Sequence, residues 1–139
     1  KLNELNYQLV NQGRLMFSKK PKSPSQIKGL YYEKLALKHL KKQGLKFLHK
    51  NYHCRLREID LVMRDESCIV FTEVRFRENS DFGNGLETVT KSKQQKLIKT
   101  AQHFLIRSGL YEKVATRFDV VSICKHHGKS ELIWIRNAF

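Results

Sequence analysis

Apolar positions recur at helical spacing across residues 26–42. On a wheel of about 100° per residue, Leu30, Ala36, Leu37 and Leu40 fall on one side, and Lys34, Lys38, Lys41 and Lys42 on the other. Ser25 is a suitable cap for a helix from Gln26 to Lys42, and Gly44 a suitable stop. Residues 45–54 predict a first strand. A period of two then marks residues 58–64 and 68–77 as strands. Asn79, Asp81, Gly83, Asn84 and Gly85 give residues 78–90 a loop signature. Helical spacing resumes at Thr90 or Ser92 and sets Leu97, Ile98, Ala101, Phe104 and Leu105 in one stripe, ending near Arg107 before Gly109. Strands at 116–124 and 131–136 flank a turn at His127-Gly128-Lys129, with Phe118, Ile133, Trp134 and Ile135 reading as sheet core. The order helix, three strands, helix, two strands predicts an α/β fold, a mixed central sheet with helices packed on it.

The chain has 139 residues, enough for one domain with a single modest core. Residues 1–25 are expected to be a basic extension, and residues 26–139 the folded domain. Both prolines fall in Lys19-Lys20-Pro21-Lys22-Ser23-Pro24-Ser25, a stretch expected to resist regular structure. Scattered apolar positions suggest a short helix at 3–17. No apolar run approaches the ~20 residues that span a bilayer, and no signal-peptide core is visible, so export and membrane spanning are disfavoured. Cys54, Cys68 and Cys124 are three in number with no CxxC spacing, which argues against a disulfide framework or a zinc site. A reducing cytoplasm is the expected compartment.

Charge changes the picture more than composition does. The formal net charge is +14, and it comes in blocks. Residues 1–28 carry six bases and one acid, residues 29–57 eight bases and one acid, and residues 91–107 five bases and no acid. Residues 58–73 reverse the balance, with five acids and one base. Three basic blocks imply a polyanionic partner, of which nucleic acid is the usual one. No basic amphipathic helix with a bulky apolar face stands out for a membrane surface.

The acidic residues fall where chemistry is conceivable. Glu33 lies among the apolar positions of the first helix, where a carboxylate is costly unless paired or bound to metal. On the acidic strands, Glu58, Asp60 and Val62 alternate with Ile59, Leu61 and Met63, and Ile69, Phe71, Glu73, Arg75 and Arg77 alternate with Val70, Thr72, Val74 and Phe76. A hairpin turning at Glu66-Ser67 would set Asp60 opposite Glu73, Ile59 opposite Val74 and Val62 opposite Phe71. Like charges facing each other call for a neighbouring cation or a slipped register. The cation is either a divalent metal ion or a structural partner such as Arg75 or Arg77. On the second helix, Gln94 points into the apolar stripe, suited to a phosphate, a metal-bound water or a core hydrogen bond. Lys91, Lys93, Lys96 and Lys99 surround it. Asp119 is placed to pair with Arg117 or Arg136.

These residues together resemble the PD-(D/E)xK nuclease superfamily and, more closely, the YraN family of bacterial proteins. That family shares the fold of restriction endonucleases and Holliday-junction resolvases. The resemblance rests on Gly29-x-x-x-Glu33-x-x-Ala36, Glu58-Ile59-Asp60-Leu61-Val62, Val70 to Arg77, Val89-Thr90-x-x-Lys93-Gln94-x-x-Leu97, Arg117 to Val121 and Asn137-Ala138-Phe139, and it covers residues 26–139. It implies a restriction-endonuclease-like core and a metal-dependent endonuclease that hydrolyses phosphodiesters in branched or damaged DNA. The alternative is an inactive nucleic-acid-binding module of the same fold. Glu33, Asp60 and Glu73 would hold Mg²⁺ or Mn²⁺, with Arg75 and Gln94 completing the catalytic set. Lys34, Lys38, Arg57, Arg77, Lys91, Lys93 and Lys96 would bind nucleic acid. A homodimer and a repair or recombination protein are the further partners it implies. Arg75 stands at the usual lysine and Arg57 at the usual glycine. An arginine can steady a phosphate but does not give up its proton.

Overall fold

The computed structural model describes residues 22–78 and 89–139. The expected short helix at 3–17, and the loop residues 79–88, lie outside the described residues. Helix α1 spans Pro24–Lys42, and strands β1, β2 and β3 span Lys46–His53, Glu58–Asp65 and Cys68–Arg77. Helix α2 spans Lys91–Arg107, and β4 and β5 span Thr116–His126 and Lys129–Ile135. The element order is the one expected.

Helix α1 begins earlier than Gln26, and its cap is Ser23 rather than Ser25. Pro24 takes the first helical position, where its fixed φ is favourable and its missing N–H costs nothing. The Ser23 hydroxyl accepts the Gln26 N–H at 3.3 Å, and the Gln26 side chain accepts the Ser23 N–H at 2.9 Å. This reciprocal box starts a helix in a stretch expected to resist one. Gly44 ends it with φ of +94°, a conformation glycine adopts without cost. Thr90 caps α2 by accepting the Lys93 N–H.

The strands lie in the order β1-β2-β3-β4-β5. All neighbours are antiparallel except β3 and β4, which run parallel with α2 in the connection between them. The sheet is therefore mixed, as the pattern predicts. The β2–β3 register is the expected one from Asp65–Cys68 to Leu61–Thr72. Two residues, His127 and Gly128, join β4 to β5, both at positive φ, the requirement of a tight hairpin turn.

Two apolar clusters sandwich the sheet. Tyr32, Ala36 and Leu40 of α1 pack with Leu61, Met63, Val70, Val121 and Ile123. Leu97, Ala101, Phe104 and Leu105 of α2 pack with Ile59, Val62, Ile69, Phe71 and Val120. Phe118, Trp134 and Ile135 join these clusters. Ile133, expected in the core, is 40% exposed, on the edge strand β5. Asp119 is buried and accepts from Arg117 Nε at 3.0 Å, Trp134 Nε1 at 3.0 Å and the Asn137 N–H at 2.9 Å. Arg117 extends this network to Asp65 at 2.8 Å. Arg136, the other expected partner of Asp119, lies over the Trp134 ring at 4.0 Å.

Candidate functional site

The site begins with a departure from regular strand geometry. Asn51, inside β1, has φ of 53°, a left-handed conformation that asparagine tolerates better than most residues. On one side of it Lys50 reaches Glu33 of α1, and its ladder partner Leu61 packs in the α1 cluster. Beyond it Tyr52 and its partner Ile59 join the α2 cluster instead. Ile59 therefore does not share a face with Leu61 and Met63, as strict alternation would have it. The β2–β3 ladder ends at the same level, and the expected Asp60–Glu73 and Ile59–Val74 pairs are not part of it. Asp60 Oδ2 instead accepts the Val74 N–H at 2.7 Å.

Asp60 is where negative charge collects. Burial, with the Glu73 carboxylate next in weight and Glu33 and Glu58 adding to it, pushes its pKa from 3.8 up to about 7, against the pull of the Val74 N–H. Glu33 projects from α1, with a side chain 14% exposed, and its Oε2 lies 3.2 Å from Lys50 Nζ. That oxygen is buried and receives no hydrogen bond of good geometry among the described residues, so Lys50 serves it as a nearby charge rather than a directed donor. Glu73, 11% exposed, contacts Lys93 Nζ of α2 and lies 4.0 Å from Arg57 Nη2. Arg57 Nε is buried with no hydrogen-bond partner among the described residues. Glu58 accepts from Asn51 Nδ2 at 3.0 Å.

The fold thus brings Glu33, Asp60 and Glu73 into mutual influence, with Lys93 and Arg57 against Glu73. Cations stand beside Glu73, from α2 and from the β1–β2 turn, although Asp60 and Glu73 do not form a ladder pair. Gln94 turns its amide to the Val89 carbonyl at 2.7 Å, spending that donor on the loop before α2. Arg75 and Arg77 are half-buried on the last part of β3. Lys34, Lys38, Lys91 and Lys96 are exposed, and Lys93 is half-buried. Two participants were not singled out in the sequence: Lys50, whose strand position gives no hint of Glu33, and Glu58, which shares its alternation with Asp60.

The donor set is carboxylate oxygen, the chemistry of a hard divalent ion such as Mg²⁺ or Mn²⁺. Among the described residues, no three His, Cys, Asp or Glu side chains converge as a finished metal cage. Burial first, and the Glu73 carboxylate second, raise the proton affinity of Asp60, and a divalent ion on Asp60 and Glu73 would offset both. An ion of this kind takes one or two carboxylates and completes its shell with water and substrate oxygens. The residues fit that partial site.

Residues 32–123 match the family described as "Uncharacterised protein family UPF0102". A UPF0102 protein of Legionella pneumophila is 50% identical over 116 residues, covering 83% of this chain and 96% of the relative. One of Nitrosococcus oceani is 45% identical over 112 residues, 81% of this chain and 90% of the relative. One of Coxiella burnetii is 46% identical over 110 residues, 79% and 89% of the two. Among the described residues, no helix is long and apolar enough to cross a membrane.

Proposed function

The chain belongs to the UPF0102 family, and we propose that it is a metal-dependent endonuclease of the PD-(D/E)xK type acting on nucleic acid, DNA before RNA. The observation that carries this reading is the convergence on Asp60 of Glu73 and Glu33, with Lys93 and Arg57 beside Glu73. Asp60 and Glu73, with Glu33 behind them, would hold Mg²⁺ or Mn²⁺. Held there, an ion of this kind would supply Lewis-acid activation of a phosphodiester. The protein's own groups do the rest. The Val74 N–H fixes the Asp60 carboxylate in place. Lys93 and Arg57 would neutralise charge on phosphate oxygens. Exposed lysines of both helices give contacts to the backbone that carry affinity without sequence information. A net charge of +14 suits a polyanionic substrate.

A second reading, a nucleic-acid-binding module without hydrolytic activity, draws on Arg75. The arginine at that position cannot act as a base. Cleavage of branched, flapped and linear DNA with Mg²⁺ or Mn²⁺, run beside Asp60→Asn and Glu73→Gln, separates the two. The endonuclease reading expects metal-dependent cleavage that both substitutions abolish. DNA binding with equal residual cleavage in all three proteins leaves only the binding module.

A further inference from the structure

Glu73 is served by two cations from two different elements: Lys93 makes a charge-assisted hydrogen bond to it, and Arg57 a looser contact. Lys93 comes from the first turn of α2, and Arg57 from the turn between β1 and β2. Arg57 approaches Glu73 with Nη2 alone, at 4.0 Å. Its Nε, on the same edge of the guanidinium, is buried without an acceptor among the described residues. The Nε–Nη2 edge is a fork that matches two oxygens of a phosphate, and a buried donor left open is costly. Meanwhile Asp60 lies among carboxylates with a backbone N–H as its hydrogen-bond donor.

We propose that Glu73 exchanges partners when substrate arrives: a phosphate group takes Lys93 and Arg57, and the released Glu73 carboxylate joins Asp60 in holding the divalent ion. This rests on the metal-dependent reading above and assigns that site its regulation. In the free protein Lys93 competes with the metal for Glu73, so the ion is held weakly. Phosphate removes the competitor and supplies oxygen ligands of its own. Metal and nucleic acid therefore bind with positive coupling, and by linkage each strengthens the other by the same factor.

The test is binding, not turnover. Free Mn²⁺ is followed by electron paramagnetic resonance as it titrates the full chain. In parallel, the anisotropy of a short fluorescein-labelled DNA duplex with cleavage-resistant phosphorothioate linkages is measured with and without Mn²⁺ at fixed ionic strength. Wild type is expected to bind the duplex about tenfold tighter with Mn²⁺ present. Lys93→Met is expected to bind Mn²⁺ alone about tenfold tighter than wild type and to lose most of the gain on the duplex. Lys93→Gln serves as the second variant should the first not fold. Equal Mn²⁺ affinity in wild type and the Lys93 variants, with duplex affinity indifferent to Mn²⁺, overturns the exchange while leaving a metal site intact. Mn²⁺ binding that Asp60→Asn does not weaken overturns the metal site itself, and the exchange with it.

Discussion

Asp60 Oδ2 accepts the Val74 N–H at 2.7 Å where the backbone ladder between β2 and β3 has just ended at Leu61–Thr72. A side-chain carboxylate thus takes the place of the carbonyl that the next ladder rung would have offered. The contact holds the two strands together and at the same time fixes the acid beside Glu73. Sheet structure and site geometry share one hydrogen bond, so a substitution at Asp60 tests both.

Asp60 makes stability fall as pH rises. Its folded pKa, about 7, lies above the unfolded value of 3.8. The folded state therefore binds the proton more tightly, and its contribution is whole below about pH 4 and lost as pH climbs through 7. Asp60→Asn keeps an oxygen for Val74 and removes the buried charge. Unfolding in urea, followed by the single tryptophan, Trp134, should show the variant more stable than wild type by about 2–4 kcal/mol at pH 8. The difference should shrink towards zero at pH 4. Asp60→Ala, which also orphans the Val74 N–H, should give back about 1–3 kcal/mol of that gain.

The parts of the fold that depend on local pattern were legible in the sequence. Alternation through Leu61–Asp65 and Cys68–Thr72, with only Glu66-Ser67 to turn the chain, fixed the β2–β3 register, and the structure keeps it. The face of Ile59 was not legible, because one left-handed residue, Asn51, on the neighbouring strand re-aims the ribbon. The signal was an asparagine in a strand, too common to act on. Ser23 was passed over as a cap because two prolines suggested irregular chain, although Pro24 at the first helical position favours a helix. Glu33, Asp60 and Glu73 were named together by the family resemblance. Their ion partners were not: Lys93 and Arg57 were expected to meet nucleic acid and Lys50 was not singled out, because the partners of long flexible stems are chosen by tertiary packing.

The Asp119 network should be the costliest polar feature to break. Its side chain is fully buried and takes donors from Arg117, Trp134 and Asn137, tying β4 to β5 and the closing residues. Asp119→Ala strands the Arg117 guanidinium next to Asp65 alone and leaves the Trp134 N–H without its acceptor. A loss of about 3–5 kcal/mol is expected in urea unfolding. A change in Trp134 emission in the folded state should accompany it. A loss below about 1 kcal/mol would show that water replaces the carboxylate.

Lys50 should be a stability residue that metal can replace. It lies 3.2 Å from Glu33 Oε2, a buried oxygen with no directed hydrogen bond among the described residues. Lys50→Met leaves that carboxylate beside Asp60 without its cation. A loss of about 1–3 kcal/mol is expected in metal-free buffer at pH 8. Mn²⁺ should then raise the melting temperature of the variant more than that of wild type, since an ion bound near Asp60 supplies the missing charge. Equal shifts in the two proteins would place Glu33 outside the reach of the metal.

Salt should decide whether the lysines of α2 follow a nucleic-acid backbone. Each phosphate neutralised releases condensed counterions, so log K falls with log salt at a slope of about −0.9 per contact on duplex DNA. Lys91 and Lys96 are exposed at the start of α2, next to the half-buried Lys93 that reaches Glu73. Replacing both by alanine removes two phosphate contacts and leaves the carboxylates untouched. The slope should flatten by roughly 1.8, and affinity should fall alike for duplexes of unrelated sequence. An unchanged slope would mean that these lysines only solvate a free helix face. The polyanion would then have to approach from α1, where Lys34 and Lys38 are exposed.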